Sequence, residues 1–301
     1  MPRTVKLGSR PVGARESRVL VGVTPRQAGW KYVRYGVRQV AGGETWGGRT
    51  GKDEACLVLL EGQCRVEASG GLSAVIGPRK DVFGTYPHAV YLPPGTSFAV
   101  SARERTVIAD GRAPAKGRFP ARVIRPEDCG CEIRGGGNAT RQIVDIMPPA
   151  FPAERLLICE VFTPGGNWSS YPPHKHDVDN PPVEVDLEEI YYYRFQAPDA
   201  YGVQRLYGPN DRAEQTLTVR HGDLVLVRDG YHPFVSAHGY DAYYLNVLAG
   251  TRRSMAASDD PRYAKFRQQW PAPDTRVPLV EPPYPPTRVP RPAWAAEALG
   301  V

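Results

Sequence analysis

Short runs of β-branched and aromatic residues, each ended by glycine, proline or another turn residue, dominate the pattern along this chain. Runs of this length and composition predict β-strands joined by tight turns rather than helices. Between two of these runs, residues 60–64 (Leu-Glu-Gly-Gln-Cys) predict a hairpin turn. The rhythm is typical of a small β-barrel. The strands predicted in the first half lie at residues 32–40, 55–61, 64–67, 89–92, 97–101 and 106–109.

The same rhythm begins again after a glycine-rich stretch at residues 135–138, so the chain is predicted to be mainly β with two similar β units in tandem. We expect one barrel in residues 1–150 and a second in residues 151–250. Residues 251–301 are predicted to hold a short helix near 261–270 and a proline-rich tail that runs extended over the surface or across a partner. The strands predicted in the second half lie at residues 156–162, 174–176, 188–195, 204–207, 215–219, 223–227 and 242–248.

Composition narrows the class of protein without identifying a function. The 301 residues are 41% hydrophobic and 23% charged, which is ordinary for a globular protein. The net charge is +6, but arginines are spread along the chain, so nucleic-acid binding is not indicated; a solvated arginine-rich surface explains this charge better than steering of an anionic substrate. Five cysteines without a Cys-x-x-Cys pair favour reduced thiols, and no segment predicts a signal peptide or membrane helix. We therefore expect a cytoplasmic protein that does not bind membranes.

The strongest chemical signal is a histidine pair, His174 and His176, followed by Glu189 on a predicted strand and His232 at the end of another. Residues two apart on a strand share a face, so the pair can present two imidazoles to one ion. A single histidine is more often a packing or surface residue than a ligand. Three of the six histidines fall in this one pattern, however, and chance is the weaker explanation. One divalent transition metal ion is predicted: Zn²⁺ or Mn²⁺, with Fe²⁺ or Ni²⁺ as alternatives.

Two neighbouring carboxylates compete for the role of fourth ligand. Strand alternation puts Glu189, Tyr191 and Tyr193 on one face and Glu188 on the other. We choose Glu189, because its face carries two tyrosines suited to a barrel interior, and keep Glu188 as the alternative. The first half has no paired histidines, so its barrel is expected to lack a metal site and to be structural or an assembly surface.

Longer motifs surround these residues at 165–177 (GGNWSSYPPHKHD), 187–194 (LEEIYYYR), 204–207 (QRLY), 230–233 (GYHP) and 239–247 (GYDAYYLNV). Their order is similar to the two motifs of the cupin superfamily, and the longer segments resemble the family of 5-deoxy-glucuronate isomerases of inositol catabolism. The resemblance implies a bicupin, two tandem jelly-roll barrels, with one metal held by His174, His176, Glu189 and His232. The chain departs from the family pattern at Arg228 and in the segment after Gly250.

The resemblance implies an enzyme, an aldose–ketose isomerase that converts 5-deoxy-D-glucuronate to 5-dehydro-2-deoxy-D-gluconate. Such a step needs proton transfer between neighbouring carbons and a Lewis acid that stabilises the enediolate charge. Tyr191, Tyr193 and Tyr244 are the predicted acids or relays, although barrel tyrosines more often pack. Arg205 is predicted to pair with the substrate carboxylate through a bidentate fork, and Lys175 is the second predicted substrate-binding residue.

Two other classes of function stay open from the ligand pattern alone. Three histidines and one glutamate also hold iron or nickel in cupin dioxygenases, which consume oxygen, and a related isomerase acting on another sugar acid or keto acid would share the motif. A bicupin that only binds a sugar acid needs no open metal position, so the ligand set argues against it. The expected partner is a small anionic sugar acid, and a homo-oligomer is expected from the resemblance.

Overall fold

Strands make up nearly all of the regular structure in this computed structural model, which describes residues 6–9, 13 and 15–284. The mainly β prediction is confirmed. Helical structure within these residues is limited to α1 (Pro25–Ala28) and 3-10 turns at Pro126–Asp128, Pro209–Asp211 and Ala264–Gln268. The strands of the described residues, in chain order, are β1 (Lys6–Leu7), β2 (Arg18–Val23), β3 (Arg34–Val40), β4 (Thr45–Arg49), β5 (Asp53–Ala68), β6 (Leu72–Arg79), β7 (Ala89–Leu92), β8 (Ser97–Ala102), β9 (Thr106–Pro114), β10 (Arg122–Ile124), β11 (Gly130–Arg134), β12 (Arg141–Met147), β13 (Leu157–Thr163), β14 (Trp168–Ser169), β15 (His174–Lys175), β16 (Leu187–Phe195), β17 (Tyr201–Leu206), β18 (Gln215–Arg220), β19 (Leu224–Val227), β20 (Phe234–Ser236), β21 (Ala242–Gly250) and β22 (Ser258–Asp259).

Packing divides the chain into two compact units whose segments alternate along the sequence. The division into one barrel at residues 1–150 and a second at residues 151–250 remains a prediction. Unit 1 comprises the described parts of Met1–Gly8, Cys131–Val144 and Cys159–Leu279. Unit 2 comprises the described parts of Ser9–Gly130, Asp145–Ile158 and Val280–Val301.

Unit 1 carries a seven-stranded sheet in the order β1-β19-β16-β21-β13-β12-β11, a four-stranded sheet in the order β14-β20-β17-β18, and the pair β15-β22. Its central strand β16 pairs antiparallel with β19, which places Glu189 opposite Val227, five residues before His232. The β1 strand closes the edge of the large sheet by pairing Lys6 with Val225. The core of this unit includes Tyr191, Tyr193 and Tyr244 together with aliphatic residues and Phe234.

Unit 2 is built on the order β10-β7-β5-β9-β3-β2, with β4, β6 and β8 attached to it. Its core is mainly aliphatic, with Leu57, Val66 and Ile108 fully buried. Two charged side chains of the described part of this unit, Glu54 and Arg79, are fully buried, and Glu54 joins two segments of the unit. Its carboxylate accepts hydrogen bonds from the Tyr91 hydroxyl at 2.9 Å and from the backbone N–H groups of residues 154, 155 and 156 at 2.9, 2.7 and 2.8 Å. This carboxylate therefore ties a loop of the unit to its sheet.

The hairpin predicted at residues 60–64 is wrong. These residues lie inside the single strand β5, which continues from Asp53 to Ala68. The pairing register shifts between Leu59 and Glu61 and again between Gly62 and Cys64, so the strand is bulged rather than turned. Gly62 has a φ of +92°, and a Cβ there would lie 2.5 Å from the Arg105 carbonyl oxygen. The bulge requires a glycine at this position. Because a turn also favours glycine, the local sequence does not distinguish a bulge from a turn.

The C-terminal region contains less helix than expected. The helix predicted near residues 261–270 is a 3-10 segment at Ala264–Gln268. Beyond it, Pro273 forms a parallel bridge with Gly137, and the backbone N–H of Leu279 donates to the Gln142 side chain at 2.8 Å. The part of the predicted proline-rich tail at residues 285–292 lies outside the described residues. Among the residues described, no helix has the length and apolar character needed to cross a membrane.

Candidate metal centre

Three side chains from different segments of unit 1 meet with their ligand atoms within 4.8 Å of one another: His176, Glu189 and His232. All three are buried, with 6%, 4% and 0% of their surface exposed. His176 follows β15, Glu189 lies in β16, and His232 follows the Gly230-Tyr231 turn after β19. His174, in β15, lies beside this group, with its ring centroid 4.9 Å from that of His232. The structure thus brings the four predicted ligands to one place.

The carboxylate of Glu189 is the centre of this group. Its Oε2 lies 2.8 Å from His176 Nε2 and 3.3 Å from His232 Nε2. Glu188, the alternative ligand, is the preceding residue of the same strand and does not belong to the cluster found among the described residues. Strand alternation explains the difference, because the two side chains leave the strand on opposite faces.

Each imidazole is oriented by a backbone carbonyl. The Nδ1 atoms of His174, His176 and His232 lie 3.4, 3.2 and 2.9 Å from the carbonyl oxygens of Pro172, Leu187 and Gly230. A histidine whose Nδ1–H donates to such an oxygen presents the lone pair of Nε2 to an ion, which is the usual outer support of a metal ligand.

One buried atom tests whether a metal fits. His232 Nε2 is shielded from solvent and has no hydrogen-bond partner among the residues described, although it lies 3.3 Å from Glu189. A buried nitrogen without a partner costs free energy, and coordination of an ion would remove that cost. Imidazole nitrogen and carboxylate oxygen are donors that suit divalent transition metals. The residues present fit such an ion.

Charge in the cluster is concentrated on Glu189. Burial alone would raise the pKa of this carboxyl group, but hydrogen bonding to His176, with the nearby His232, lowers it to about 2. The pKa of His174 falls well below its ordinary value of 6.5 because of burial and the nearby imidazoles. Burial also opposes the charge on His176, but Glu189 outweighs burial and raises the pKa of His176. Near neutral pH the metal-free cluster therefore holds an anionic carboxylate, and His174 is neutral.

The three predicted catalytic tyrosines lie in the interior of unit 1. The Tyr191 hydroxyl is 3.1 Å from Ser170 Oγ, and the Tyr244 hydroxyl is 2.5 Å from Ser169 Oγ. Tyr193 donates to the Gln204 side chain at 2.9 Å. Burial raises the pKa of Tyr191 and Tyr193 well above 10 and that of Tyr244 to about 12. All three hydroxyls are therefore protonated at neutral pH.

The two predicted substrate-binding residues are placed elsewhere. Lys175 is bound by Asp177 and Glu184, with Nζ–O distances of 2.5 and 2.8 Å. Arg205 pairs with Glu214 at 2.6 Å and with Asp211 at 3.1 Å, and it lines a separate, aromatic cavity of about 450 Å³.

Three of the predicted ligands, His174, His176 and Glu189, line a cavity of about 490 Å³, within the usual range for small-molecule sites. Neither of the two predicted substrate-binding residues lines it. Sequence reasoning missed four of its charged residues: Arg134, Arg141, Asp259 and Arg267. Asp259 stands directly opposite His174 in the β15-β22 pair, in the segment after Gly250 where the motifs end. Arg141 follows the glycine-rich stretch at residues 135–138, more than thirty residues before the histidine pair, and nothing in the sequence links it to the predicted ligands.

Solved structures with the same fold support the predicted architecture. An IolB-like protein from Salmonella typhimurium LT2 superposes with a TM-score of 0.83 at 35% identity, covering 87% of this chain and 98% of that one. A mutant oxalate decarboxylase from Bacillus subtilis superposes with a TM-score of 0.60 at 12% identity, covering 84% and 78%, which shows the fold alone. The fold and the histidine-carboxylate cluster together define a bicupin, as the sequence predicted.

Sequence comparison identifies the family within that class. The profile of the KduI/IolB family matches residues 7–266. A protein of Geobacillus kaustophilus named 5-deoxy-glucuronate isomerase is 45% identical over 243 residues, which cover 80% of this chain and 88% of that protein. One of Geobacillus thermodenitrificans with the same name is also 45% identical, covering 80% and 89%. The chain belongs to the KduI/IolB family.

Proposed function

We propose that this protein is a metal-dependent isomerase that converts 5-deoxy-D-glucuronate to 5-dehydro-2-deoxy-D-gluconate in the catabolism of myo-inositol. The observation that carries the proposal is the buried cluster of imidazoles and one carboxylate at the wall of a cavity of about 490 Å³. The proposal is supported by 45% identity to proteins named 5-deoxy-glucuronate isomerase.

The cluster is proposed to hold one divalent ion through His174, His176, Glu189 and His232, with Zn²⁺ or Mn²⁺ favoured over Fe²⁺ or Ni²⁺. When bound there, the ion supplies Lewis-acid stabilisation for the negative charge that develops on the two substrate oxygens. The carbonyl oxygens that bind Nδ1 keep each ring in a fixed orientation, so little reorganisation is needed on binding.

The reaction moves two protons. A C–H bond at C2 of the open-chain aldehyde breaks and one at C1 forms, while the C2 hydroxyl loses a proton and the C1 oxygen gains one. The Tyr191 and Tyr244 hydroxyls, which stay protonated at neutral pH, are proposed as donors or relays in hydrogen-bonded chains with Ser170 and Ser169. Tyr193, bound to Gln204, is the deeper relay candidate, and its position also suits a packing role.

The test follows 5-deoxy-D-glucuronate by NMR in D₂O under nitrogen, after the metal content of the purified protein has been measured. We expect conversion to the 2-deoxy-5-keto acid with deuterium at the carbon that was C1 of the substrate, which is C6 of the product, and no need for oxygen. His176→Ala should lose both metal and conversion, whereas His238→Ala, a matched change at an exposed histidine outside the cluster, should lose neither.

Two results would contradict the proposal. If the protein binds metal but neither converts the substrate nor exchanges its hydrogen for deuterium, the cluster does not have this activity. Turnover that requires and consumes oxygen would favour the dioxygenase alternative instead. We further propose a cytoplasmic homo-oligomer, an expectation from the family resemblance that light scattering of the purified protein tests.

A further inference from the structure

Arg141 is a buried arginine in the wall of the metal-centre cavity. Only 4% of its surface is exposed, and it is the first residue of β12. It lines the same cavity as His174, His176 and Glu189. A charged group at such a depth is expensive unless something pairs with it.

The partners that the chain provides for Arg141 are few. Nη1 donates to the Tyr171 carbonyl oxygen at 3.3 Å. Among residues 6–9, 13 and 15–284, no carboxylate lies within ion-pair distance of its guanidinium, and no other hydrogen bond engages it. A guanidinium offers several further N–H donors in a planar fork. Those donors are available to a ligand in the cavity.

Two other arginines line the cavity, and both are already paired. Arg134 binds Glu132 at 2.6 Å, and Arg267 binds Asp259 at 2.6 Å. Their side chains are also 39% and 42% exposed, so water screens them. Arg141 differs from them in both respects, since it is buried and has no carboxylate partner.

The charge of Arg141 persists at neutral pH. Burial lowers the pKa of its guanidinium, but only to about 10. Of the carboxylates that line the cavity within the described residues, Glu189 belongs to the ligand cluster and Asp259 is bound by Arg267. The cavity wall therefore presents an uncompensated positive charge beside the ligands, which favours an anionic occupant over a neutral one.

We propose that Arg141 binds the carboxylate of the sugar acid and thereby selects acids over neutral sugars at this site. The inference rests on the proposed function, in which the carbonyl end of the same molecule lies at the metal ligands. A planar fork matches a carboxylate bidentately, and the buried position makes that pairing strong. Arg205, the residue predicted from sequence, is bound to two carboxylates and lines the other cavity.

The test compares two probes on the metal-loaded protein. Both are open-chain 5-deoxy sugars whose aldehyde has been reduced to an alcohol, and they differ only in having a carboxylate or an alcohol at C6. Neither can be isomerised, so calorimetry measures binding whether or not the protein turns over. The natural chain should bind the acid about 100-fold more tightly than the alcohol, the usual scale for a buried charge pair.

In Arg141→Gln this preference should disappear while the affinity for the neutral probe stays unchanged. Arg141→Lys, which keeps the charge but not the fork, should retain part of it. Arg65→Gln, an exposed arginine in β5, is the control and should behave as the natural chain does. Metal content, measured for each variant, shows whether the site is intact.

Three outcomes overturn the inference: no preference for the acid in the natural chain, a full preference in a metal-loaded Arg141→Gln, or loss of the preference in Arg205→Gln alone. If Arg141 acted on charge at the reacting carbons instead, Arg141→Gln would bind both probes more weakly and by the same factor. If Arg141→Gln does not load metal, the preference for the acid probe is still measured in the natural chain and in Arg141→Lys, and these two values test the inference. Failure of the isomerase proposal is separate, because it appears as absent turnover in the NMR assay with the probe preference intact.

Discussion

Binding of a divalent ion to the cluster should weaken as the pH falls, because His176 must release a proton to become a ligand. Glu189 raises the pKa of His176 above 6.5 in the metal-free protein, whereas His174 has a lowered pKa and carries no proton at neutral pH. Competition from this proton starts above pH 6.5 and grows as the pH drops. One displaced proton costs about tenfold in affinity per pH unit, so we expect about 100-fold, or about 2.7 kcal/mol, across two units below that pKa.

Glu189→Gln separates the two roles of the carboxylate. Without its charge, burial is no longer opposed and the pKa of His176 falls, so the loss of affinity moves to lower pH. The variant should bind Zn²⁺ more than about tenfold less tightly at alkaline pH, yet with a flatter pH dependence down to about pH 6. Competition with a chromophoric chelator at a series of pH values measures both quantities.

The comparison with Glu188→Gln decides which carboxylate acts. Glu188 lies on the same strand but outside the cluster, so its substitution should leave the pH dependence of Zn²⁺ binding as it is. The reasoning is refuted if the natural chain and Glu189→Gln show the same slope, or if Glu188→Gln produces the flattening instead.

Three further predictions concern stability. Tyr193→Phe leaves the Gln204 oxygen without its donor in a fully buried site, so urea unfolding should show a loss of about 1–3 kcal/mol, and an unchanged midpoint would contradict this. Glu54→Gln removes a charged acceptor of three backbone N–H groups, so calorimetry should find unit 2 less stable by about 2 kcal/mol; equal stability would show that the charge is not needed. Gly250→Ala places a Cβ 2.1 Å from the Asp186 carbonyl oxygen, so the protein should lose about 1–3 kcal/mol of stability and melt at a lower temperature. An unshifted melting curve would mean that the backbone relaxes freely.

The four predicted ligands come together in the structure, and the sequence information that pointed to them is local. The spacing of His174 and His176, the alternation around Glu189 and the glycine before His232 are all short-range patterns. β15 itself ends at Lys175, however, so the strand predicted through His176 is shorter than expected. The imidazoles converge because backbone carbonyls orient each ring, and strand alternation is only part of the reason.

The charged residues of the cavity could not be predicted in the same way. An arginine is distinguished by what it pairs with, and pairing depends on strands that are distant in sequence. Arg205 and Lys175 look suited to an anion until the structure shows their carboxylate partners. Arg141 had no predicted role in the site, and its burial in β12 at the cavity wall is what distinguishes it. Gly62 shows the same limit for the backbone, since a bulge and a turn share one sequence signal.

The pairing of β1 with β19 sets an order of events during synthesis. Lys6, which pairs with Val225 and binds Asp223 at 2.8 Å, leaves the ribosome more than two hundred residues before either partner exists. The edge of the sheet that carries Glu189 therefore closes only after most of the chain has been translated. The entropy of closing so long a loop grows slowly with its length, so the delay affects timing more than final stability. Until then β1 is a strand without its partner, and unpaired strands are the kind of surface on which chaperones act and nascent chains aggregate.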